Sequence, residues 1–196
     1  MDELDFLDIL NGAEVSPEQY QYYHQLFHNR TIVFNGGVDD DLIERYYLPL
    51  LDFENDDSTK PVTLILNSFG GSVTEGFFFA HYLSKYKKKL NIIVTGCAAS
   101  MAAIILAAGG KNDNITRYCY PSTYALIHDG YVAIGASESK SAADVMAHND
   151  RVDRDIRQFI IDNTNIDAAT YDEHCRHQWF LNATEMLEAN LVDEIL

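Results

Sequence analysis

Leu90-Asn91-Ile92-Ile93-Val94-Thr95-Gly96-Cys97-Ala98-Ala99-Ser100-Met101 carries a hydrophobic segment through a glycine into two alanines and a serine, and Ala102 to Ala108 follow as a second small, apolar run. This order predicts a buried strand, a tight turn and a helix that starts at or near Ser100. A serine so placed sits where first-turn N–H groups point outward and the helix dipole favours negative charge. Chemistry that builds an oxyanion beside a serine nucleophile needs that setting. Read alone, the segment is equally that of an N-cap serine.

Two other segments add chemistry to it. Leu64-Ile65-Leu66-Asn67-Ser68-Phe69-Gly70-Gly71-Ser72-Val73 is again a strand entering a turn, now with paired glycines. Without Cβ atoms, Gly70 and Gly71 let the backbone approach a ligand closely. The N–H groups of this turn then offer one oxyanion donor and Met101 N–H, just after the serine, the other. Tyr124-Ala125-Leu126-Ile127-His128-Asp129-Gly130 is an apolar strand that ends in a histidine and a turn pair. A histidine at one strand end and a serine at another form a candidate base and nucleophile.

Outward from these segments the chain alternates strands and helices. Pro17 to His28 reads as a helix with Pro17 at its first position, and Thr31–Phe34 as a strand. Asp39 to about Leu51 reads as an amphipathic helix that Pro49 ends or kinks. A polar loop, Glu54 to Lys60, leads to strand Val62–Leu66 and helix Val73 to Tyr86. Such alternation predicts α/β architecture built from stacked βαβ units. Ala136 to Thr164 differs. Ala142, Val145, Met146, Val152, Ile156, Phe159 and Ile160 recur at helical spacing, making one long helix whose thin apolar stripe needs a partner.

Asn67-Ser68-Phe69-Gly70-Gly71-Ser72-Val73, Gly96-Cys97-Ala98-Ala99-Ser100-Met101 and Ile127-His128 together resemble the proteolytic subunit family of the Clp protease, whose pattern is N-S-P-G-G, G-x-A-A-S-M and a strand ending in histidine. Phe180-Leu181-Asn182-Ala183 and Leu191-Val192-Asp193 resemble the family's C-terminal segment, with Asn190 in place of a glycine. The likeness runs from near Asn29 to the end. It implies a crotonase-like spiral of stacked ββα units with a protruding helix-strand handle, in one domain: a segment and helix over 1–28, a head over 29–130 and 165–196, and the handle over 131–164. It implies Ser100 as nucleophile, His128 as general base, Gly71 and Met101 as the oxyanion hole, and Gly70, Ser72, Val73, Tyr131 and Val132 beside the substrate. It also implies a homo-oligomer of two stacked heptameric rings, an AAA+ unfoldase as partner, and unfolded polypeptides cut inside a chamber.

Three departures stand out. Phe69 replaces a proline. The position of the family's third catalytic residue, an aspartate, holds Gln178, and the nearest carboxylates upstream are Asp172 and Glu173. A glutamine carbonyl can accept from the histidine N–H but brings no charge. Three arrangements fit: a Ser–His pair aided by Gln178, a carboxylate reaching the site through space, or a weakly active or non-catalytic subunit that assembles with an active paralogue. At the unfoldase-docking positions stand Thr63, Ile65 and Lys85, none aromatic, which leaves a different partner or a pocket built from other residues such as Tyr86. A crotonase-type acyl-CoA enzyme would share the oxyanion architecture, but the serine and histidine motifs are the peptidase pattern.

Composition bounds the rest. The chain has 196 residues, 47% hydrophobic, with a formal charge of −16. The length suits a single well-cored domain, and the charge opposes nucleic-acid binding. No apolar run is long enough to span a bilayer and no signal-peptide pattern opens the chain, so the cytoplasm is the expected location. Cys97, Cys119 and Cys175 are not spaced for metal, and Cys97 reads as a small buried residue rather than a nucleophile. His174 and His177 lack further ligands nearby, and neither metal nor cofactor is expected.

Overall fold

The computed structural model describes residues 17–129 and 139–196. In chain order these form α1 (Pro17–His28), β1 (Thr31–Asn35), a π-turn (Ile43–Tyr47), α2 (Leu48–Asn55), β2 (Val62–Ser68), α3 (Val73–Leu83), β3 (Leu90–Ala99), α4 (Met101–Ala107), a 3-10 turn (Ala108–Lys111), β4 (Ile115–Cys119), β5 (Tyr124–Ile127), α5 (Ser139–Asn163), α6 (Ala168–His174), β6 (Trp179–Asn182), α7 (Ala183–Glu188) and β7 (Glu194–Ile195).

Strands β1-β2-β3-β4-β7 pair in that order, all parallel, while β5 pairs with β3 and β6 runs antiparallel to β5. The pivot is β3. Its first half, Leu90 to Val94, pairs with β4; beyond Gly96, Cys97 to Ala99 pair instead with β5. The register against β2 shifts at the same place, between Leu66 and Ser68. One strand therefore serves two layers, and the chain leaves it between the turn after β2 and the end of β5. Alternation along β2 buries Val62, Leu64, Leu66 and Ser68, the period-two pattern of a strand packed on one face. Helix α4 is buried at every position from Met101 to Ala107, which its run of alanines and isoleucines allows.

The helix expected over 39–51 is split. Ile43–Tyr47 winds as a π-turn, with Leu48 N–H donating to the Ile43 carbonyl, before α2 continues to Asn55. Pro49 has no N–H to give the carbonyl of Arg45, so an α-helix cannot pass through it unbroken. The proline thus shifts the hydrogen-bond register rather than ending the helix. Strand β4 has no counterpart in the sequence reading, because a central arginine conceals it. Arg117 is 1% exposed. It donates to both carboxylate oxygens of Asp193 (3.1 and 2.7 Å) and to the carbonyl and side-chain oxygens of Asn190 (both 2.7 Å). Asn190 itself has φ +55° at the end of α7, where asparagine tolerates the left-handed conformation. Unlike glycine, it also offers Arg117 an acceptor.

Ile156, Phe159 and Ile160 bury the C-terminal half of α5, while Val145 and Met146 stay exposed. The apolar stripe of this helix therefore has two fates within the chain.

Candidate active site

Ser100 stands between β3 and α4 with φ +55° and ψ −126°. A non-glycine residue held there carries strain of about 1–3 kcal/mol, which the surrounding structure must impose. Two constraints do so. Ser100 N–H donates to the Leu126 carbonyl of β5 at 2.8 Å. On the other side the turn after β2 packs against the elbow so tightly that a Cβ on Gly70 would lie 2.5 Å from the Ala99 carbonyl oxygen, 2.7 Å from Ser100 Cβ and 2.8 Å from Met101 N. Gly70 has φ +85°. Glycine is required here by conformation and by space together.

Gly71 is held by a parallel bridge to Val38. Val38 N–H donates to the Gly70 carbonyl (2.9 Å) and Ser72 N–H to the Val38 carbonyl (2.7 Å). The bridge uses the groups on either side of Gly71, so its own N–H faces away. A Cβ at Gly71 would run into the Val38 carbonyl. Met101 N–H, in the first turn of α4, has no intrahelical acceptor either. Asn67 ties the strand ends behind these donors: its side chain donates to Asn35 Oδ1 (2.8 Å) and accepts from Cys97 N–H (3.1 Å).

Gly71, Val73, Ser100, Met101, Ile104, Ile127, His128 and Ile156 line a cavity of about 150 Å³. Ser100, His128, Gly71 and Met101 thus share one hollow, and its other walls are aliphatic. Gly70 and Ser72 flank it, and the Ser72 hydroxyl donates to Glu75. Tyr131 and Val132 lie outside the described residues.

His128 Nδ1 is 2.6 Å from the backbone carbonyl of Asp129. A carbonyl oxygen only accepts, so Nδ1 carries the proton. Nε2 is then the basic nitrogen. Gln178 sits just before β6 and is exposed, with no hydrogen bond to any described residue. The β5–β6 pairing ends at Ile127 and Trp179, and beyond it the Asp129 N–H turns to the Cys175 carbonyl (2.9 Å), so no strand pairing joins Gln178 to His128. Asp172 is engaged elsewhere, accepting from Arg157 Nε (2.7 Å) and a terminal nitrogen (2.8 Å). The residue that holds His128 is its neighbour Asp129, through the backbone carbonyl. The sequence reading treated Asp129 only as part of a turn; its position directly after the histidine was the signal available.

Elsewhere, Cys97 is buried, and all three cysteines are free thiols. Lys85 is exposed, Ile65 half-buried, and Thr63 lines an open cavity with Phe27, Phe53, Arg30 and Lys60. Tyr86 does not rebuild a docking pocket. It is 1% exposed, with its hydroxyl turned to the Leu50 carbonyl, because core packing between α2 and α3 claims it.

The Clp protease family model matches residues 13–196. The chain belongs to the Clp protease family. It is 31% identical over 172 residues to the ATP-dependent Clp protease proteolytic subunit of Cyanophora paradoxa, covering 87% of this chain and 86% of that one. It is 28% identical over 189 residues to the subunits of the same description from Streptococcus sanguinis (96% and 95% covered) and Lactococcus lactis (96% and 94%). The mostly parallel sheet with its helices agrees with the fold expected of this family, and the chain functions as a protease subunit of the Clp type. The non-catalytic alternative is not favoured. No described helix is long and apolar enough to cross a membrane.

Proposed function

We propose that the chain is a serine-type endopeptidase subunit in which Ser100 is the nucleophile and His128 Nε2 the general base. The observation that carries this reading is the Nδ1–H to Asp129 carbonyl hydrogen bond. It holds the tautomer whose loss, when a triad aspartate is made amide, accounts for most of a roughly 10⁴-fold drop in rate. Ser100 Oγ attacks the scissile carbonyl, and Nε2 takes its proton. Gly71 and Met101 N–H groups meet the oxyanion. The imidazolium then returns the proton to the leaving amine, and water repeats the cycle on the acyl-enzyme.

The substrate is an extended, unfolded polypeptide lying along Gly70, Ser72 and Val73, with an apolar side chain in the hollow between Val73, Ile104, Ile127 and Ile156. The family resemblance adds Tyr131 and Val132 as substrate-binding residues. Gln178, at the position of the family's aspartate, brings no charge. The assembly is two stacked heptameric rings joined through the handle. The exposed Val145 and Met146 on α5 support a partner subunit there. An AAA+ unfoldase feeds the chamber, docking on a surface more polar than the family pattern at Thr63 and Lys85. The cytoplasm is the location that suits this role.

The test is hydrolysis of a short fluorogenic peptide and of an unfolded protein by wild type and Ser100→Ala. The variant should assemble normally and lose about 10³-fold or more of the rate. A variant that retains wild-type hydrolysis overturns the assignment.

A further inference from the structure

We infer that Asp129 is a positioning residue that takes over the work of the absent aspartate: its carbonyl fixes the His128 tautomer, and its carboxylate supplies the negative charge beside the imidazolium. The inference rests on the peptidase reading above.

Asp129 is held in place on both sides. Its N–H donates to the Cys175 carbonyl at 2.9 Å, and its carbonyl accepts from His128 Nδ1. Its side chain borders a cavity of about 190 Å³ whose other charged walls are Asp153, Arg154 and Arg157 of α5, Asp172 of α6, and Arg176 just beyond it. Cys175 lies behind, and Tyr171 forms part of the wall. Three carboxylates there face three guanidinium groups, so removing the Asp129 carboxylate leaves an excess positive charge in the cavity that the residue after His128 borders. That excess opposes formation of the imidazolium. Burial and the carboxylates of Asp153 and Asp172 push the Asp129 pKa up, while His128 and the Tyr171 hydroxyl pull it back toward the anion. The Tyr171 hydroxyl is itself buried without a full hydrogen bond to any described residue, a donor available to Asp129. Gln178, at the position where the family pattern has its aspartate, is neutral. Charge has moved from the partner strand to the residue that follows the histidine.

Asp129→Asn separates the two contributions, because it keeps the backbone carbonyl and removes only the charge. The experiment is a pH titration of His128 by carbon-13 NMR of histidine-labelled protein, with His128→Ala to assign the resonance, alongside pH profiles of kcat and kcat/KM. A negative charge nearby favours the imidazolium, so the His128 resonance of Asp129→Asn should titrate at lower pH than that of wild type. The low-pH limb of kcat/KM should move down with it, and kcat should fall about tenfold. An unmoved His128 titration overturns the inference, whether or not kcat changes. Should wild type fail to hydrolyse peptide, the peptidase reading fails, and the titration still decides what Asp129 does to His128.

Discussion

Replacing Gly70 by alanine tests how the elbow is built. The added Cβ would sit 2.5 Å from the Ala99 carbonyl oxygen, 2.7 Å from Ser100 Cβ and 2.8 Å from Met101 N. All three obstacles are backbone or the root of a side chain, so none can swing away. The residue would also adopt φ +85°, which costs an alanine about 1–2 kcal/mol. Overpacking adds about 1–3 kcal/mol. Their sum, about 2–5 kcal/mol, corresponds to a fall in Tm of about 4–20 °C for a chain of this size. Relief of the clash must displace Ser100 or Met101 by several tenths of an ångström, and a displacement approaching 1 Å costs about 10²-fold in rate. Gly37→Ala is the control. Its Cβ would meet only Asp39 Oδ2 at 3.4 Å and the Gly70 carbonyl at 3.8 Å. Scanning calorimetry and the rate of Ser100 acylation by a fluorophosphonate measure both effects. Wild-type Tm and acylation rate in Gly70→Ala would refute the reasoning.

Other outcomes follow from the same geometry. Gln178→Asp restores a carboxylate at the position where the family pattern has its catalytic aspartate. Because the Asp129 carbonyl already fixes the tautomer, the gain in kcat should be about ten- to a hundredfold rather than the full 10⁴; no gain with an unchanged fold would show that position 178 does not serve His128. Arg117→Met strands Asp193 and the Asn190 acceptors, and should cost about 3 kcal/mol in urea unfolding; a loss below about 1 kcal/mol would show that the network is dispensable. Burial would raise the Asp56 pKa, but hydrogen bonds from Arg30 and Lys88 outweigh it and hold the carboxyl at about 2. A depressed carboxylate stabilises the fold above its unfolded value of 3.8 and loses that contribution as pH falls toward 2. Asp56→Asn should therefore be less stable than wild type at neutral pH, with the gap closing in acid; a gap independent of pH would contradict the pairing.

Local signals made much of this fold legible. Pro17 marked the start of α1, and the strand-glycine-serine order marked the β3–α4 elbow. The paired glycines and the strand-end histidine were readable because each is a short-range pattern. What stayed hidden depends on distant partners. A strand centred on Arg117 looks unsuitable for a core until Asp193 and Asn190, far along the chain, satisfy the guanidinium. The proline at 49 leaves ending and kinking equally open in the sequence, and the buried face of α2 decides for a helix that continues past it. The strain at Ser100 cannot be read from its neighbours, since Gly70 and Leu126 impose it from two other segments. Asp129 escaped notice because its contribution runs through a backbone carbonyl, which no residue type announces.

The most direct test of the central claim is intact-mass measurement of the assembled protein after fluorophosphonate treatment, with Ser100→Ala alongside. The account predicts one adduct per chain, mapped to Ser100 and absent from the variant. A folded, assembled protein that takes up no adduct, or takes it up at another residue, would contradict it.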